Sequence, residues 1–205
     1  MAGFGILGGT FDPIHVGHLF LAEKSREAFN LSKVIFVPAS IPPHKIGEVT
    51  LPVNERLKMV EMAIQNHSQF QVSKVEIERV GPSYSIDTIR ELKSQCPGED
   101  CFFILGFDSL LGLNTWKNYR QILDETQLIA ALRPGFPILQ YDQDWPDFLK
   151  SYRQRIHILK APLIDISATW LRNELKLGRS IRYLVPDVVS EYIDQRQLYR
   201  NQLKV

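Results

Sequence analysis

The feature that most narrows what this chain can fold into is an alternation. Short runs rich in β-branched and aromatic residues are each followed by a stretch with helical periodicity, almost to the C-terminus. That order predicts βαβ units and an α/β protein built on a parallel sheet, because parallel neighbours need a crossover long enough to hold a helix. The first run, Phe4 to Leu7, leads into "HVGHLFLAEKSREAF", and "KVIFVP" leads through a loop into "NERLKMVEMAIQN". Next come the β-rich "FQVSKVEIE" (70–78), the helix "SIDTIRELKSQ" stopped by Pro97-Gly98, and the strands "CFFIL", "QLIAAL" and "RIHIL". Two helices, "SATWLRNELKLG" and "PDVVSEYIDQRQL", joined by "RSIRYLV", end the pattern.

Spacing supports the helices: Leu57, Val60 and Ile64 fall on one face, as do Ile86, Ile89 and Leu92, with charges opposite. The irregular "RPGFPILQYDQDWPDFLKSY" (133–152) is expected to be a surface excursion rather than a domain boundary. A chain of 205 residues can bury a substantial core. One domain over 1–205 is expected, its C-terminal part, from about residue 167, helical.

Charge and cysteine content exclude several classes. With 24 Lys plus Arg against 23 Asp plus Glu, no global field recruits nucleic acid or anionic lipid, so any bound anion must be held locally. Cys96 and Cys101 form neither a CxxC pair nor an extracellular framework. No run approaches ~18 apolar residues, and the N-terminus lacks a basic region followed by a long apolar one. A cytoplasmic protein without nucleic-acid or membrane partners is the expectation, and a homo-oligomer is compatible with the chain.

Chemistry concentrates in "GGTFDPIHVGHL". Gly3, Gly5 and Gly8 satisfy G-x-G-x-x-G, but Gly3 and Gly5 precede or lie within the strand instead of opening a helix, which argues against a dinucleotide fingerprint. Gly8 and Gly9 sit where the strand must turn; they supply φ freedom there and let backbone N–H groups approach a phosphate without a Cβ in the way. Asp12-Pro13 reads as a turn before a helix beginning near Ile14. His15 and His18, three apart, then project from one face of the first turn, where orphan N–H groups and the macrodipole favour an anion. Gly17 between them removes the side chain that would keep a flat ring off the helix backbone. A lone surface histidine, a metal site from Asp12, His15 and His18, or a mere tight turn each accounts for part of this; none accounts for the combination.

"GGTFDPIHVGHL" resembles the signature of the nucleotidylyltransferase superfamily, whose H-x-G-H element is akin to the HIGH motif of class I aminoacyl-tRNA synthetases. "ISATWLR" (166–172) is similar to the I-S-x-T-x-x-R element of the same superfamily. Further segments, "FVPASIPPHK", "ERLKMVEMAI", "GPSYSIDTIREL", "FFILGFDSLLGLNTWKNY", "LRPG" and "GRSIRYLVPDVVSEYIDQRQLY", look like successive blocks of bacterial nicotinate-nucleotide adenylyltransferases, in order and from Gly5 to Tyr199.

The resemblance implies a Rossmann-like doubly wound parallel sheet with a small C-terminal helical region. It also implies transfer of the adenylyl group of ATP to nicotinate mononucleotide, with Mg²⁺ arriving on ATP and no metal held by the protein. On this pattern Gly8, Gly9, Thr10, Phe11 and Gly17 line the nucleotide phosphates. His15 and His18 contact the triphosphate, Ser167, Thr169 and Arg172 close over it, and Gly106 and Asp108 approach a ribose. His18, His15 and Arg172 are the implied catalytic residues. His44 and Lys45 lie near the mononucleotide phosphate, while Ser85 and the backbone at Trp116-Lys117 meet the nicotinate carboxylate, with the Trp116 ring stacked on the pyridine. Two departures occur: Ser85 stands where the family commonly has Thr, and Ala168 where it frequently has Ser. The acid-to-amide preference is left open by the first. The alternatives are an amide or dual acceptor, a phosphopantetheine or cytidylyl enzyme, and a nucleotide sensor without turnover.

Overall fold

The structure, a computed structural model, describes residues 3–41, 51–132, 145–162 and 164–200. Six strands form one parallel sheet: β1 (Gly3–Gly9), β2 (Leu31–Pro38), β3 (Phe70–Val72), β4 (Asp100–Gly106), β5 (Gln127–Ala131) and β6 (Ile156–Leu159). Helices α1 (Val16–Ala28), α2 (Val53–Ile64), α3 (Val75–Glu78), α4 (Ser85–Gln95), α5 (Phe107–Leu111), α6 (Tyr119–Glu125), α7 (Asp147–Lys150), α8 (Ala168–Lys176) and α9 (Asp187–Gln195) complete the described elements. The strand order is β3-β2-β1-β4-β5-β6. This is the expected doubly wound sheet; its order reverses between β1 and β4, and ligands of such sheets bind beyond the strand C-termini at that point.

Period-two burial divides the core between the two faces. Phe4 and Ile6 of β1, Ile35 and Val37 of β2, and Phe103 and Leu105 of β4 pack with Ile86, Ile89 and Leu92 of α4. On the other face Leu7, Val34, Phe36, Ile104 and Ile129 meet Met59, Val60 and Ile64 of α2. Leu171 and Leu175 of α8 and Val189 and Ile193 of α9 belong to this second cluster, so the C-terminal helices share the main core and form no separate lobe. Gly3 and Gly5 both lie inside β1 and have packing roles. A Cβ on Gly3 would stand 2.6 Å from the Phe102 ring, and one on Gly5 2.9 Å from Ile104 Cδ1.

Two expectations are corrected. The β-rich stretch 70–78 is strand only over Phe70–Val72, followed by the short helix α3. β3 is an edge strand paired only to β2, and turning after Val72 lets Val75 pack on the α4 side of the sheet. Part of the expected surface excursion is core: Trp145 is 5% exposed, Leu149 of α7 is fully buried, and Phe148 and Tyr152 pack against the same cluster. Four apolar residues at this spacing were hidden in the sequence by the surrounding Pro, Gly and Asp. Residues 133–144 of that stretch lie outside the described residues.

Removing the Leu149 side chain tests the second correction. Leu149→Ala should cost about 2–5 kcal/mol in denaturant unfolding, as for a buried leucine, whereas under ~1 kcal/mol would return the segment to the surface.

Candidate active site

A cavity of about 500 Å³ opens at the switch point, walled by the C-terminal ends of β1 and β4 and the N-termini of α1, α4 and α8. It gathers most of the residues singled out from sequence: Gly8, Gly9, Thr10, Phe11, His15, Gly17, His18, Ser85, Gly106, Trp116, Lys117, Ser167, Thr169 and Arg172 all line it. Asp108 does not; it stands exposed in the first turn of α5, and its neighbour Ser109 is part of the wall. His44 and Lys45 lie outside the described residues.

Local geometry revises how the glycines act. β1 runs on through Gly9, and neither Gly8 nor Gly9 has positive φ; the left-handed residue of the loop is Phe11, at φ 49°. What the two positions need is closeness. A Cβ on Gly9 would lie 2.9 Å from the Phe11 ring, and Gly8 has nothing nearer than 3.9 Å, leaving its backbone open to a ligand. The Phe11 side chain is buried, its ring edge-on to His18 at 5.0 Å between centroids and tilted against Phe36 at 5.9 Å. Its ring therefore braces His18, and only its backbone remains to meet a phosphate.

Helix α1 starts at Val16 rather than near Ile14, with His15 as its extended N-cap. The Asp12–Pro13 peptide is cis. The two imidazoles stack at 3.7 Å between centroids, and the His15 backbone N–H donates to His18 Nδ1 at 3.2 Å. A ring nitrogen that accepts a hydrogen bond carries no proton, so the neutral His18 ring bears its proton on Nε2 and acts there as a donor. A Cβ on Gly17 would sit 3.0 Å from His15 Nδ1, so glycine at this position makes room for the His15 ring. Of the first-turn amides, Val16 N–H donates to Leu184 O, and those of His18 and Leu19 to His15 O. Among the described residues this leaves the Gly17 N–H as the orphan donor at the positive end of the helix, which suits an anion.

α8 faces this turn across the cavity. Ser167 is its N-cap, accepting from the Trp170 N–H at 3.2 Å, and Arg172 Nη2 reaches Thr169 Oγ1 at 3.4 Å. Arg172 Nη1 donates to the Asp12 carbonyl at 2.9 Å, which ties α8 to the loop after β1. Hydroxyls, a capped helix N-terminus and a guanidinium form a second set of donors for phosphate oxygens.

Two supporting residues escaped the sequence reading. Arg56 of α2 is 1% exposed, and its guanidinium donates to the carbonyls of Thr10 (2.5 Å), Ala39 (2.8 Å), Leu51 (3.2 Å) and Ser40 (3.4 Å). Desolvation lowers its pKa, opposed by the Asp12 charge and Tyr199. Tyr199 lies near the end of the chain, and its hydroxyl donates to Asp12 Oδ1 at 2.7 Å; burial and the Asp12 charge push its pKa upward, so it stays a donor. In sequence Arg56 looks like one charge on the polar side of an amphipathic helix, and no motif links Tyr199 to a residue 187 positions earlier.

On the opposite wall, Ser85 is the first residue of α4, which places its hydroxyl and N–H at a helix start. The Trp116 ring lies edge-on to Phe103 at 6.1 Å, is half-buried and lines the cavity. The Trp116 N–H is already bound to Leu113 O, so of the expected backbone pair the Lys117 amide is the one able to meet a carboxylate. Lys117 Nζ sits 3.9 Å over the Tyr84 ring, a cation–π contact at the cavity wall. Among the described residues no group of three or more His, Cys, Asp or Glu is placed to hold a metal ion. Asp12 is engaged by Tyr199, and the two histidines stack instead of converging.

The comparisons with known proteins agree with this geometry. The cytidylyltransferase-like family model matches residues 6–174. A relative from Desulfitobacterium hafniense (strain Y51), named "Probable nicotinate-nucleotide adenylyltransferase", is 42% identical over 96% of this chain and 95% of its own. One of the same name from Moorella thermoacetica is 42% identical over 97% and 92%. Among solved structures, Plasmodium falciparum nicotinic acid mononucleotide adenylyltransferase complexed with NaAD shares the fold at a TM-score of 0.77 and 20% identity, covering 97% of this chain and 98% of that one. Fold and family model define a cytidylyltransferase-like protein. Within that class, the chain belongs to the nicotinate-nucleotide adenylyltransferase family.

The Arg56 clamp has a measurable weight. Arg56→Met leaves several buried carbonyls without donors at about 1–3 kcal/mol each, so chemical denaturation should show a loss of about 3 kcal/mol or more. A loss below ~1 kcal/mol would mean that water serves those carbonyls equally well.

Proposed function

We propose that this chain transfers the adenylyl group of ATP to nicotinate mononucleotide, giving nicotinate adenine dinucleotide and pyrophosphate. The observation that carries the reading is the pairing, across one cavity, of the His15-Gly17-His18 helix start with the Ser167-Thr169-Arg172 helix start. Two donor sets of this kind suit a polyphosphate far better than a neutral ligand. The 42% identical relatives bear the name of the same activity.

In the reaction an oxygen of the mononucleotide phosphate attacks the α-phosphorus in line, a new P–O bond forms, and the bond to the β-phosphate oxygen breaks with its electrons leaving on pyrophosphate. The nucleophile is already an anion, so no general base is needed. Positioning then supplies most of the effect, with effective molarity worth ~7–11 kcal/mol. His18 is the group assigned to the charge that develops on the α-phosphate, through its Nε2–H, with His15 and Arg172 assisting. Its Nδ1 bond to the His15 amide and its contact with Phe11 support that role by holding the ring in place before substrate arrives. Mg²⁺ is assigned to ATP, bound mainly by phosphate oxygens and water.

On the other side, Trp116 offers a face for the pyridinium, and Ser85 with the Lys117 amide offers donors for the carboxylate. His44 and Lys45 are assigned by family resemblance to the mononucleotide phosphate, and Gly106 and Asp108 to a ribose. No helix among the described residues is long and apolar enough to cross a membrane, and both cysteines are buried and unpaired. Those facts support a cytoplasmic setting.

Pyrophosphate release from ATP, measured with nicotinate mononucleotide, nicotinamide mononucleotide or phosphopantetheine as acceptor, tests the function. Release with the first is expected; none with it sinks the proposal. His18→Ala should lower kcat by about 10²–10³-fold with little change in ATP affinity, as for loss of one donor to a developing oxyanion. An unchanged kcat removes His18 from the chemistry.

A further inference from the structure

Glu76 lines the same cavity, yet nothing in the proposed reaction uses it. It lies in α3 and is 7% exposed, a carboxylate inside a protein wall. Such a group must be satisfied by partners, and the partners here come from different parts of the chain. The Thr88 hydroxyl of α4 donates to Glu76 Oε1 at 2.7 Å. Ser83 acts on the same carboxyl, its hydroxyl helping to hold the pKa down.

Both hydroxyls also accept hydrogen bonds. Thr88 Oγ1 accepts from Arg79 Nη1 at 3.2 Å, and Arg79 is paired with Glu91. Ser83 Oγ accepts from the backbone N–H groups of Ser40 (3.1 Å) and Ile41 (3.3 Å), and the Ser83 N–H in turn donates to Ile41 O at 3.1 Å. Thr88 thus joins the α3 carboxylate to α4, and Ser83, two residues before α4, joins the same segment to the loop after β2. Tyr84 and Ser85, which wall the acceptor side of the cavity, follow Ser83 directly. Burial pushes the Glu76 carboxyl up from its ordinary value, while the Thr88 and Ser83 hydrogen bonds and the Arg79 charge pull it back.

We propose that Glu76 is a positioning residue for the acceptor: its carboxylate, through Thr88, holds the first turns of α4 and with them the Ser83–Ser85 turn, which Ser83 ties to the Ser40–Ile41 strand exit, in the arrangement that receives the pyridine mononucleotide. The loop after β1 on the ATP side is braced by Arg172 and by Arg56, which reaches across to the Ala39 and Ser40 carbonyls as well. Glu76 and Thr88 bond neither of these arginines, so a disturbance at Glu76 falls first on the acceptor side. The inference rests on the adenylyl-transfer reading, and the test separates the two.

Steady-state kinetics with each substrate varied in turn is the experiment, on wild type, Glu76→Gln, Thr88→Val and Thr88→Ser. Gln keeps one acceptor oxygen but removes the charge that the Thr88 hydroxyl meets. Loss of a hydrogen bond to a charged group predicts a KM for the mononucleotide raised about tenfold or more in Glu76→Gln. The KM for ATP should stay within about twofold, since the partners of Glu76 and Thr88 lie off the loop after β1. Thr88→Val should shift the same KM in the same direction, and Thr88→Ser, which keeps the hydroxyl, should restore it. Equal changes in both KM values, or none in either, overturn the assignment; so does a Thr88→Ser variant as impaired as Thr88→Val. If Glu76→Gln does not fold, the Thr88 pair decides alone. Wild type without turnover on the mononucleotide rejects the function itself, a result distinct from all of these.

Discussion

The site depends on a buried cation that stands behind the cavity lining. Parallel strands end in loops whose carbonyls have left the ladder, and at the switch point two such loops, after β1 and after β2, run close together and need donors for them. Arg56 solves this with one planar group, bonding Thr10, Ala39, Ser40 and Leu51 from α2. Lysine, a point charge with rotatable donors, could not serve this spread of acceptors in a fixed geometry. The cost of burying the charge is offset by these carbonyls and by the nearby Asp12.

Around that clamp the C-terminal part of the chain closes the phosphate side. Tyr199 reaches Asp12, Leu184 O caps the Val16 amide, and Arg172 holds the Asp12 carbonyl. The helices α8 and α9 thus belong to both the core and the site, which explains why the second signature motif lies so far along the chain from the first. The acceptor side is organised by an anion instead, Glu76, with the Thr88 hydroxyl turned towards it. A buried cation thus stands behind one side of the cavity and a buried carboxylate behind the other, and the two meet at the exit of β2, where Arg56 bonds the Ser40 carbonyl and Ser83 the Ser40 N–H.

Much of this was legible in the sequence because it is periodic or local. Helix spacing located α2 and α4, and the glycine-histidine cluster marked the turn at the end of β1. Gly8 and Gly9 were read both for φ freedom and for an unobstructed backbone; neither has positive φ, so only the second reason remains. Failures share a cause: they involve partners distant along the chain. Arg56 resembles a solvated helix charge until its carbonyl partners converge on it, and Glu76 sits in a stretch whose alternation mimics a strand. Trp145 and Leu149 looked like surface because the helix that carries Leu149 is only four residues long and Pro and Asp interrupt the stretch, which masks the period of its apolar residues.

The central claim is that the chain fixes the His18 ring, before substrate binds, as an Nε2–H donor at the cavity wall. Side-chain ¹⁵N NMR of the selectively labelled protein reads that tautomer directly. The account predicts an unprotonated, hydrogen-bonded Nδ1 and a protonated Nε2 in the ligand-free protein, unchanged when ATP is added. A proton on Nδ1 in the free protein, or a ring that averages between tautomers until ATP binds, would contradict it.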